Sequence, residues 1–222
     1  SALSEENQCL IHTSFSSNEN WPYEWSGFCP PAPCGDLVSH EGYDYSTVQI
    51  GDQCWFSENC RYLPEVSDSP VGSQIEPLYY VFDYLGTDVE AAKSTADYEN
   101  YGVLYNWPAV MTEGICPSGW HIPSDEEFTQ LTDFLGGEAV AGYAMKDDMQ
   151  WDGSNVSGFN GLPGGVRYPT YFGASNYGVW WSSSLYDNGL SSWYRDVVTQ
   201  EDRIVRTTYD PAAGFSARCI QD

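Results

Sequence analysis

The sequence has little positive charge, and this lack excludes two kinds of partner. Its 222 residues include 8 Lys and Arg against 32 Asp and Glu, which gives a formal net charge of −24. The only lysines are Lys93 and Lys146. A chain this acidic repels the phosphates of nucleic acids and of anionic lipid surfaces. We therefore expect neither a nucleic-acid interface nor docking on a membrane surface.

The sequence also lacks a long apolar run and a leader segment. No window comes close to the roughly 20 apolar residues that a membrane-spanning helix needs. The chain starts Ser-Ala-Leu, without an initiator methionine and without the charged and apolar regions of a signal peptide. These absences predict a processed mature chain, with an artificially shortened chain as the alternative, and no membrane insertion.

The sequence also lacks the cysteine spacing of a zinc site, although cysteine is frequent. The seven cysteines form no Cys-x-x-Cys pair, and no histidines at zinc-ligand spacing lie near them. Few lysines, many Tyr, Trp, Asn and Ser, and several cysteines are typical of an oxidising, extracellular setting. Since seven is odd, one thiol is free or pairs with another chain. We expect an extracellular or cell-surface protein, with a virion surface as a further setting.

The composition divides the chain into two parts. Residues 1–40 hold Cys9, Cys29 and Cys34, a proline-rich run between the last two, and few periodic apolar positions. We interpret them as a disulfide-stapled arm that either covers the domain or reaches a neighbouring subunit, and the sequence does not decide between these. Residues 41–222 have the apolar patterns of one packed domain.

The clearest local patterns in the domain are a hairpin and one helix. Residues 45–50 alternate in polarity, and a Gly-Asp turn followed by residues 53–56 predicts the returning strand. Ser124 and Glu127 have the spacing of a capping box ahead of an amphipathic helix. A second, weaker helix is expected to start near Trp107.

The remaining segments predict an insertion and a sheet. Residues 64–100 are acidic with little periodicity, so we expect a long loop. Short apolar runs bounded by Gly, Asn, Asp and Ser follow residue 150 and predict an antiparallel sheet. Helices that precede a run of strands define the α+β class. The runs predicted as strands are 179–181, 193–198, 204–208 and 215–220.

Ordered sequence blocks resemble one protein family. Residues 44–59 read Asp-Tyr-Ser-Thr-Val-Gln-Ile-Gly-Asp-Gln-Cys-Trp-Phe-Ser-Glu-Asn, and residues 115–125 read Ile-Cys-Pro-Ser-Gly-Trp-His-Ile-Pro-Ser-Asp. Both resemble blocks of the Fibrobacter succinogenes major paralogous domain, and residues 1–40 lie outside the resemblance. Further matching blocks are residues 102–111, 158–165, 180–183 and 214–219.

This resemblance implies a fold and a setting, but only a vague function. The family is similar to the C-type lectin-like fold, and distantly to formylglycine-generating enzymes. Such a fold places two helices against small antiparallel sheets, and its long irregular loops form a binding face. Family members occur as secreted or surface proteins of bacteria.

The resemblance also implies disulfides. The family carries paired cysteines at the blocks of Cys116 and Cys219, and a bridge there would close a loop of about 100 residues, worth roughly 4–5 kcal/mol. Cys60 stands where the family usually has leucine, so we expect a local Cys54–Cys60 bridge. The alternative is that a cysteine of the arm pairs with Cys54 or Cys60.

An oxygen-rich cluster around Trp151 is a candidate calcium site. Calcium takes six to eight oxygen ligands, and many lectin-like domains carry it. The loop lacks EF-hand spacing and the sugar-binding motifs of calcium lectins, so a solvated acidic loop is the alternative. The proposed ligands are Asp147, Asp148, Asp152 and Asn155.

The C-terminal segment has the composition of a binding surface. Tyr and Trp offer large contact areas at low entropic cost, and Ser and Asn adapt their hydrogen bonds. Such a surface suits a glycan or a surface protein, whereas cross-strand packing of the aromatics is the alternative. The residues proposed to contact the ligand are Tyr171, Asn176, Tyr177, Tyr186, Asp187, Asn188 and Tyr194.

These observations predict a noncatalytic binding or adhesion module. The main alternative is a structural subunit of a filament, sheath or virion, including a phage receptor-binding tip, that self-assembles through residues 1–40. An oxidase related to formylglycine-generating enzymes ranks last, because the best-placed cysteines are expected in disulfides. His121 could be a catalytic base. We interpret it instead as a structural histidine bonded to nearby backbone, since no nucleophile lies near it in sequence.

Overall fold

The structure, a computed structural model, describes most of the chain. The described residues are 3, 4, 7–9, 11, 15, 22, 23, 25, 33–68, 71–168, 171–173, 176–187 and 189–222, without the side chain of Tyr171. Most of the predicted arm therefore lies outside the described residues.

Short helices and antiparallel strands make up the described residues, so the fold is α+β as predicted. The strands are β1 (Val38–His40), β2 (Tyr43–Tyr45), β3 (Thr47–Ile50), β4 (Gln53–Phe56), β5 (Tyr79–Tyr80), β6 (Leu104–Tyr105), β7 (Trp120–His121), β8 (Arg167–Tyr168), β9 (Tyr171–Phe172), β10 (Tyr177–Leu185), β11 (Ser192–Val198), β12 (Ile204–Tyr209) and β13 (Ile220–Gln221). The helices are α1 (Val89–Lys93), α2 (Ala96–Tyr101), α3 (Trp107–Val110), α4 (Asp125–Phe134) and α5 (Ala141–Met145).

Two larger sheets carry the domain. One has the order β3-β4-β13-β7, and the other is the meander β10-β11-β12. Strands β1-β2, β5-β6 and β8-β9 form separate two-stranded pairs. The predicted hairpin is confirmed as β3 and β4, with Ile50 paired to Gln53 across a two-residue turn.

Helix α4 follows from its capping residues. The Ser124 side chain accepts a hydrogen bond from the backbone N–H of Glu127, and the Glu127 carboxylate accepts one from the backbone N–H of Ser124. This reciprocal capping box satisfies two N–H groups that an uncapped helix would leave exposed. Phe128 and Leu131 then lie on the buried face. The predicted helix near Trp107 is confirmed as the single turn α3.

Residues 64–100 are not the plain loop that was predicted. Strand β5 and helices α1 and α2 lie within or start in this range. The side chains of Asp88 and Thr95 accept hydrogen bonds from the backbone N–H groups of Ala91 and Tyr98, so each short helix has its own cap. These helices have too few turns to show an apolar period in the sequence.

Residues 215–220 do not form the predicted strand either. Only Ile220 belongs to a strand, β13, and the preceding residues make isolated bridges to Tyr105 and Trp180. The backbone N–H groups of Phe215 and Ser216 donate to the carbonyls of Tyr105 and Val179. This buried segment lies between the two larger sheets and divides its hydrogen bonds between several neighbours.

The cysteine pairing corrects one prediction. Cys116 is bonded to Cys219, as the resemblance implied, across a sequence separation of 103 residues. Cys54 is bonded to Cys34 and not to Cys60. Hydrogen bonds from Gly35 N–H to Thr47 Oγ1 and from Thr47 Oγ1 to Asp36 O hold the segment after Cys34 against β3, beside Cys54.

The thiol left over in the described residues is Cys60, which is buried. The structural-subunit hypothesis allowed the odd cysteine to bridge neighbouring subunits. A buried thiol is not placed to do so. Cys9 is also disulfide-bonded. Searching the described residues finds no helix with the length and apolarity to span a bilayer.

Candidate binding site on the C-terminal sheet

The structure does not bring the predicted ligand-binding residues together. Asn176 and Tyr177 lie at the start of β10, whereas Tyr186 and Asp187 follow its end. Tyr177 and Tyr186 are nine positions apart along the strand, so the two groups lie about 30 Å apart. The side chain of Tyr171 and all of Asn188 lie outside the described residues.

One face of the C-terminal sheet nevertheless gathers several tyrosines. Tyr194 lies opposite Trp181 on β10 and Thr207 on β12, and its ring centroid is 6.3 Å from that of Tyr209. Tyr168 on β8 packs 5.9 Å from Tyr209. We call this half-buried surface the tyrosine face. Its members are Tyr168, Tyr177, Tyr194, Asp196 and Tyr209.

Strand alternation explains which residues meet on the tyrosine face. Successive side chains of a strand point to opposite faces, so Tyr194 and Asp196 share one side of β11. Cross-strand pairing places Val179 of β10 and Val205 of β12 beside Asp196. Buried Trp181 and Phe215 pack beneath Tyr194, at centroid distances of 6.0 and 5.0 Å. The rings are thereby held in place by the core.

Asp196 is the unusual member of the tyrosine face. Its Oδ1 is inaccessible to solvent and has no hydrogen-bond partner within the described part of the chain. Burial raises the pKa of Asp196 to about 6, although the positive charge of Arg203 acts to lower it. Burial also raises the pKa of Tyr194 to about 12, and the charge of Asp196 adds to that effect. A buried acceptor without a donor is costly, and a ligand hydroxyl would remove that cost.

The opposite face of the same sheet is fully used by the fold. Arg195, which is 1% exposed, donates from Nη1 to Asp125 Oδ1 at 2.7 Å and from Nη2 to Thr129 Oγ1 at 3.0 Å. Arg206 donates from Nη2 to the second oxygen of Asp125 at 2.6 Å and lies 3.9 Å above the Trp193 ring. Burial alone would raise the pKa of Asp125, but hydrogen bonds from Arg206 and Arg195 lower it.

The four proposed calcium ligands do not all meet, because Asp147, Asp148 and Asn155 line one cavity and Asp152 does not. Asp152 accepts hydrogen bonds from Lys146 Nζ at 2.8 Å and from the backbone N–H of Gln200. Lys146 is buried, and Asp152 therefore serves as its counter-ion. Asp147 accepts from the backbone N–H groups of Met149 and Gln150 and caps its own turn. No three carboxylates converge among the described residues.

A polar cavity of about 410 Å³ lies beside these residues. Asp147, Asp148 and Asn155 line it together with Arg61 and Arg218. Arg218 is buried and donates to Asn59 Oδ1 and to the carbonyls of Phe56, Phe159 and Asn160. Burial lowers the pKa of Arg218 to about 9. Since all three guanidinium nitrogens donate to acceptors inside the fold, we interpret Arg218 as a support of the core.

His121 is held by carboxylates, not by the backbone bonds that were predicted. Its Nδ1 lies 2.6 Å from Asp222 Oδ1 and its Nε2 lies 2.9 Å from Glu127 Oε1. Burial acts to lower the pKa of His121, but these two hydrogen bonds raise it. Both ring nitrogens are thus engaged by carboxylates of the fold.

Sequence analysis missed Asp196, Tyr168 and Tyr209. The signal for Asp196 was present in the alternation of residues 193–198, which puts it on the side of Tyr194. Composition alone gave no reason to separate the two sheet faces. Tyr168 and Tyr209 belong to strands of two different sheets, and only tertiary packing brings their rings together.

The fold and these sites define a disulfide-bonded α+β domain with a half-exposed aromatic sheet face. The chain belongs to the Fibrobacter succinogenes major domain family, whose model matches residues 48–221. Comparisons with curated proteins and with solved structures gave no match. The C-type lectin-like likeness therefore stays a prediction.

Proposed function

We propose that the protein is a noncatalytic extracellular or surface binding module that recognises a glycan through the tyrosine face. The observation that carries this proposal is Asp196 Oδ1, a buried acceptor with no hydrogen-bond donor among the described residues. Asp196 as a whole is half-buried, so a ligand hydroxyl that reaches the accessible side of this carboxylate would give it a donor.

Glycans match both chemical features of the tyrosine face. A sugar ring has an apolar C–H surface that packs on tyrosine rings, and a rim of hydroxyl donors for a carboxylate. The rings of Tyr194 and Tyr209 are already ordered by the core, so binding costs little side-chain entropy. The net charge of −24 favours neutral glycans over acidic ones.

Described residues also support the extracellular setting and the noncatalytic role that we propose. Two disulfides, Cys34–Cys54 and Cys116–Cys219, fit a secreted or surface protein. His121 is the candidate general base, and carboxylates occupy both of its nitrogens. These contacts support a binding role in preference to an enzymatic one.

The structural-subunit alternative loses one of its means of assembly. Cys34 ties the end of the arm to the domain through Cys54, and the free thiol Cys60 is buried. A covalent ladder through the odd cysteine is therefore disfavoured. Noncovalent assembly through residues 1–40 stays a second hypothesis, which sedimentation of the full chain would test.

A glycan array tests the proposal directly. We expect the wild-type chain to bind neutral glycans equally well with and without calcium. Asp196→Asn should lower the affinity by about 10- to 100-fold, because it replaces a charged acceptor. Asp133→Asn removes an exposed carboxylate of α4, on the opposite side of the sheet, and serves as the matched control. An absence of glycan binding, or equal affinities for the wild type and Asp196→Asn, would contradict the proposal.

A further inference from the structure

The tyrosine face holds a negative charge that the described residues do not balance. Asp196 Oδ1 has no hydrogen-bond donor among them, and none of their ion pairs includes Asp196. The positive charge of Arg203 acts on Asp196, but the ion pair of Arg203 is with Glu201, at 2.5 Å. Asp125, on the opposite face, is in contact with two arginines. Asp196 is thus a half-buried carboxylate without a counter-ion in the described part of the chain.

Three tyrosine rings on the same face stand at steep angles to one another. The ring centroids of Tyr194 and Tyr209 are 6.3 Å apart with an interplanar angle of 87°, and those of Tyr168 and Tyr209 are 5.9 Å apart at 58°. Burial raises the pKa of Tyr194 to about 12, and the charges of Asp196, Tyr168 and Tyr209 add to this rise, so these groups lie near one another. The rings therefore form a corner and not a flat platform.

Two kinds of sugar substituent could supply the donor that Asp196 lacks, and they differ in charge. A hydroxyl donates a hydrogen bond but leaves the negative charge of the half-buried carboxylate uncompensated. A protonated amine donates a hydrogen bond and also brings the opposite charge. The face of a tyrosine ring attracts the same ammonium group through its quadrupole. A corner of tyrosine rings beside an unpaired carboxylate therefore favours the amine.

The charge of the whole chain acts in the same direction. A net charge of −24 raises the local concentration of cations near the protein surface. The chain has only 8 Lys and Arg, and Lys146, Arg195 and Arg206 among them are already bonded to other carboxylates. A cationic ligand is therefore attracted to the protein and finds Asp196 without a competing partner from these residues.

We propose that the site on the tyrosine face is selective for glycans that carry a free amino group, with the ammonium bound between Asp196 and the tyrosine rings. This inference rests on the proposed glycan-binding function and specifies its ligand class. The ammonium approaches the accessible side of the carboxylate, and the sugar ring packs against Tyr194 and Tyr209. Acetylation of the amine removes its charge and leaves one N–H donor in place of three, so the N-acetylated form of the same sugar binds more weakly.

The test is a glycan array that carries each oligosaccharide in an N-acetylated form and in a de-N-acetylated form with one amino group per molecule. A single amine keeps the ligand from acting as a polycation that any acidic protein would attract. At pH 7 the carboxylate of Asp196 is largely ionised and the sugar amine is largely protonated. We expect the full wild-type chain to bind the de-N-acetylated form about tenfold more tightly, in about 0.15 M and in about 0.5 M NaCl.

Two variants locate the preference. Asp196→Asn should reduce it to about twofold or less, because the amide has no charge to pair with the ammonium. Asp133→Asn removes an exposed carboxylate of α4, on the opposite side of the sheet, and should keep the full preference. A preference seen in the wild type and in Asp133→Asn, but not in Asp196→Asn, would support the inference.

The contrary outcomes separate this inference from the function on which it rests. Equal affinities of the wild type for the two forms would overturn the selectivity and leave glycan binding intact. Binding of neither form would contradict both proposals. A preference that persists in Asp196→Asn, or that disappears at the higher salt concentration, would reflect attraction to the overall charge of the chain and would also overturn the selectivity.

Discussion

A carboxylate lies at each face of the sheet β10-β11-β12, and the two differ in their hydrogen bonding and pKa. On the face against α4, Asp125 is bonded to Arg195 and Arg206, and its pKa is lowered. On the tyrosine face, Asp196 has an oxygen with no donor in the described part of the chain, and its pKa is raised to about 6. On one face of these three strands the fold itself supplies the donors that the carboxylate needs. On the other face the described residues leave a carboxylate oxygen without a donor.

This difference separates stability from function within one sheet. A carboxylate that the fold needs is surrounded by donors, because breaking a buried ion pair is strongly destabilising. A carboxylate that only a ligand satisfies lowers the stability of the free protein. The substitutions below should therefore have opposite effects on the two faces.

The largest effect is expected at Asp125. Asp125→Ala leaves Arg195 buried without its anion, so we expect the free energy of unfolding at pH 7 to fall by about 3 kcal/mol. Urea denaturation measures this change. Glu126→Gln removes an exposed charge from the same helical turn and should cost less than about 0.5 kcal/mol. Equal effects of the two substitutions would show that the ion pair contributes little beyond the helix dipole.

Asp196→Asn should act in the opposite direction. The pKa of Asp196 rises from 3.8 to about 6, so the most that the substitution could add to the free energy of unfolding is roughly 3 kcal/mol. Because the side chain is partly exposed, we expect a gain of about 1 kcal/mol. A raised pKa in the folded state means that the contribution of Asp196 to stability is fully present below about pH 4 and is lost as the pH rises through about 6. The variant should thus be more stable than the wild type at pH 7.5.

Urea midpoints between pH 4 and 8 check this sign. The difference between the wild type and Asp196→Asn should vanish near pH 4, where both side chains are neutral. Asp125 should dominate at lower pH, because a lowered pKa means that its contribution is lost as the pH falls through that pKa. A variant that is less stable than the wild type at pH 7.5 would show that Asp196 has an unrecognised role in the fold.

Local elements were predictable from sequence, whereas the tyrosine face was not. The Ser124–Glu127 capping box and the hairpin β3-β4 depend on residues close in the chain, and local rules found both. Tyr194 and Tyr209 lie on neighbouring strands of one sheet, and Tyr168 joins them from a separate strand pair only through tertiary packing. Composition grouped Tyr177 with Tyr186, which lie at opposite ends of β10.

Cysteine spacing failed for the same reason. Cys54 and Cys60 are six positions apart, but the hydrogen bonds of Thr47 bring Cys34 to Cys54, and the chain then carries Cys60 towards Cys219. Proximity in sequence does not say where two Cβ atoms point. The Cys116–Cys219 bond, in contrast, was implied by the family blocks, which already contain the tertiary information.

A smaller effect on stability is expected at the edge of the sheet face that packs on α4. Arg206→Gln removes a partly exposed partner of Asp125 and the stack on Trp193, so we expect a loss of about 0.5–1 kcal/mol. Arg203→Gln breaks the more exposed pair with Glu201 and should cost about 0–0.5 kcal/mol. Urea denaturation followed by tryptophan fluorescence would rank the two. A larger loss in Arg203→Gln would mean that the pairing to Asp125 depends on Arg195 alone.

The smallest effect on stability, and the sharpest test of the tyrosine face, is expected for Tyr194→Phe. Phenylalanine keeps the ring that packs on Trp181, Phe215 and Tyr209, so the free energy of unfolding should change by less than about 0.5 kcal/mol. Only the hydroxyl is lost. If this face binds a glycan, the affinity should fall several-fold, since one hydrogen bond contributes about 1 kcal/mol. Unchanged affinity would mean that the Tyr194 hydroxyl does not contact the ligand and that the residue only packs. The two faces of the sheet would then differ only in the hydrogen bonding of Asp125 and Asp196.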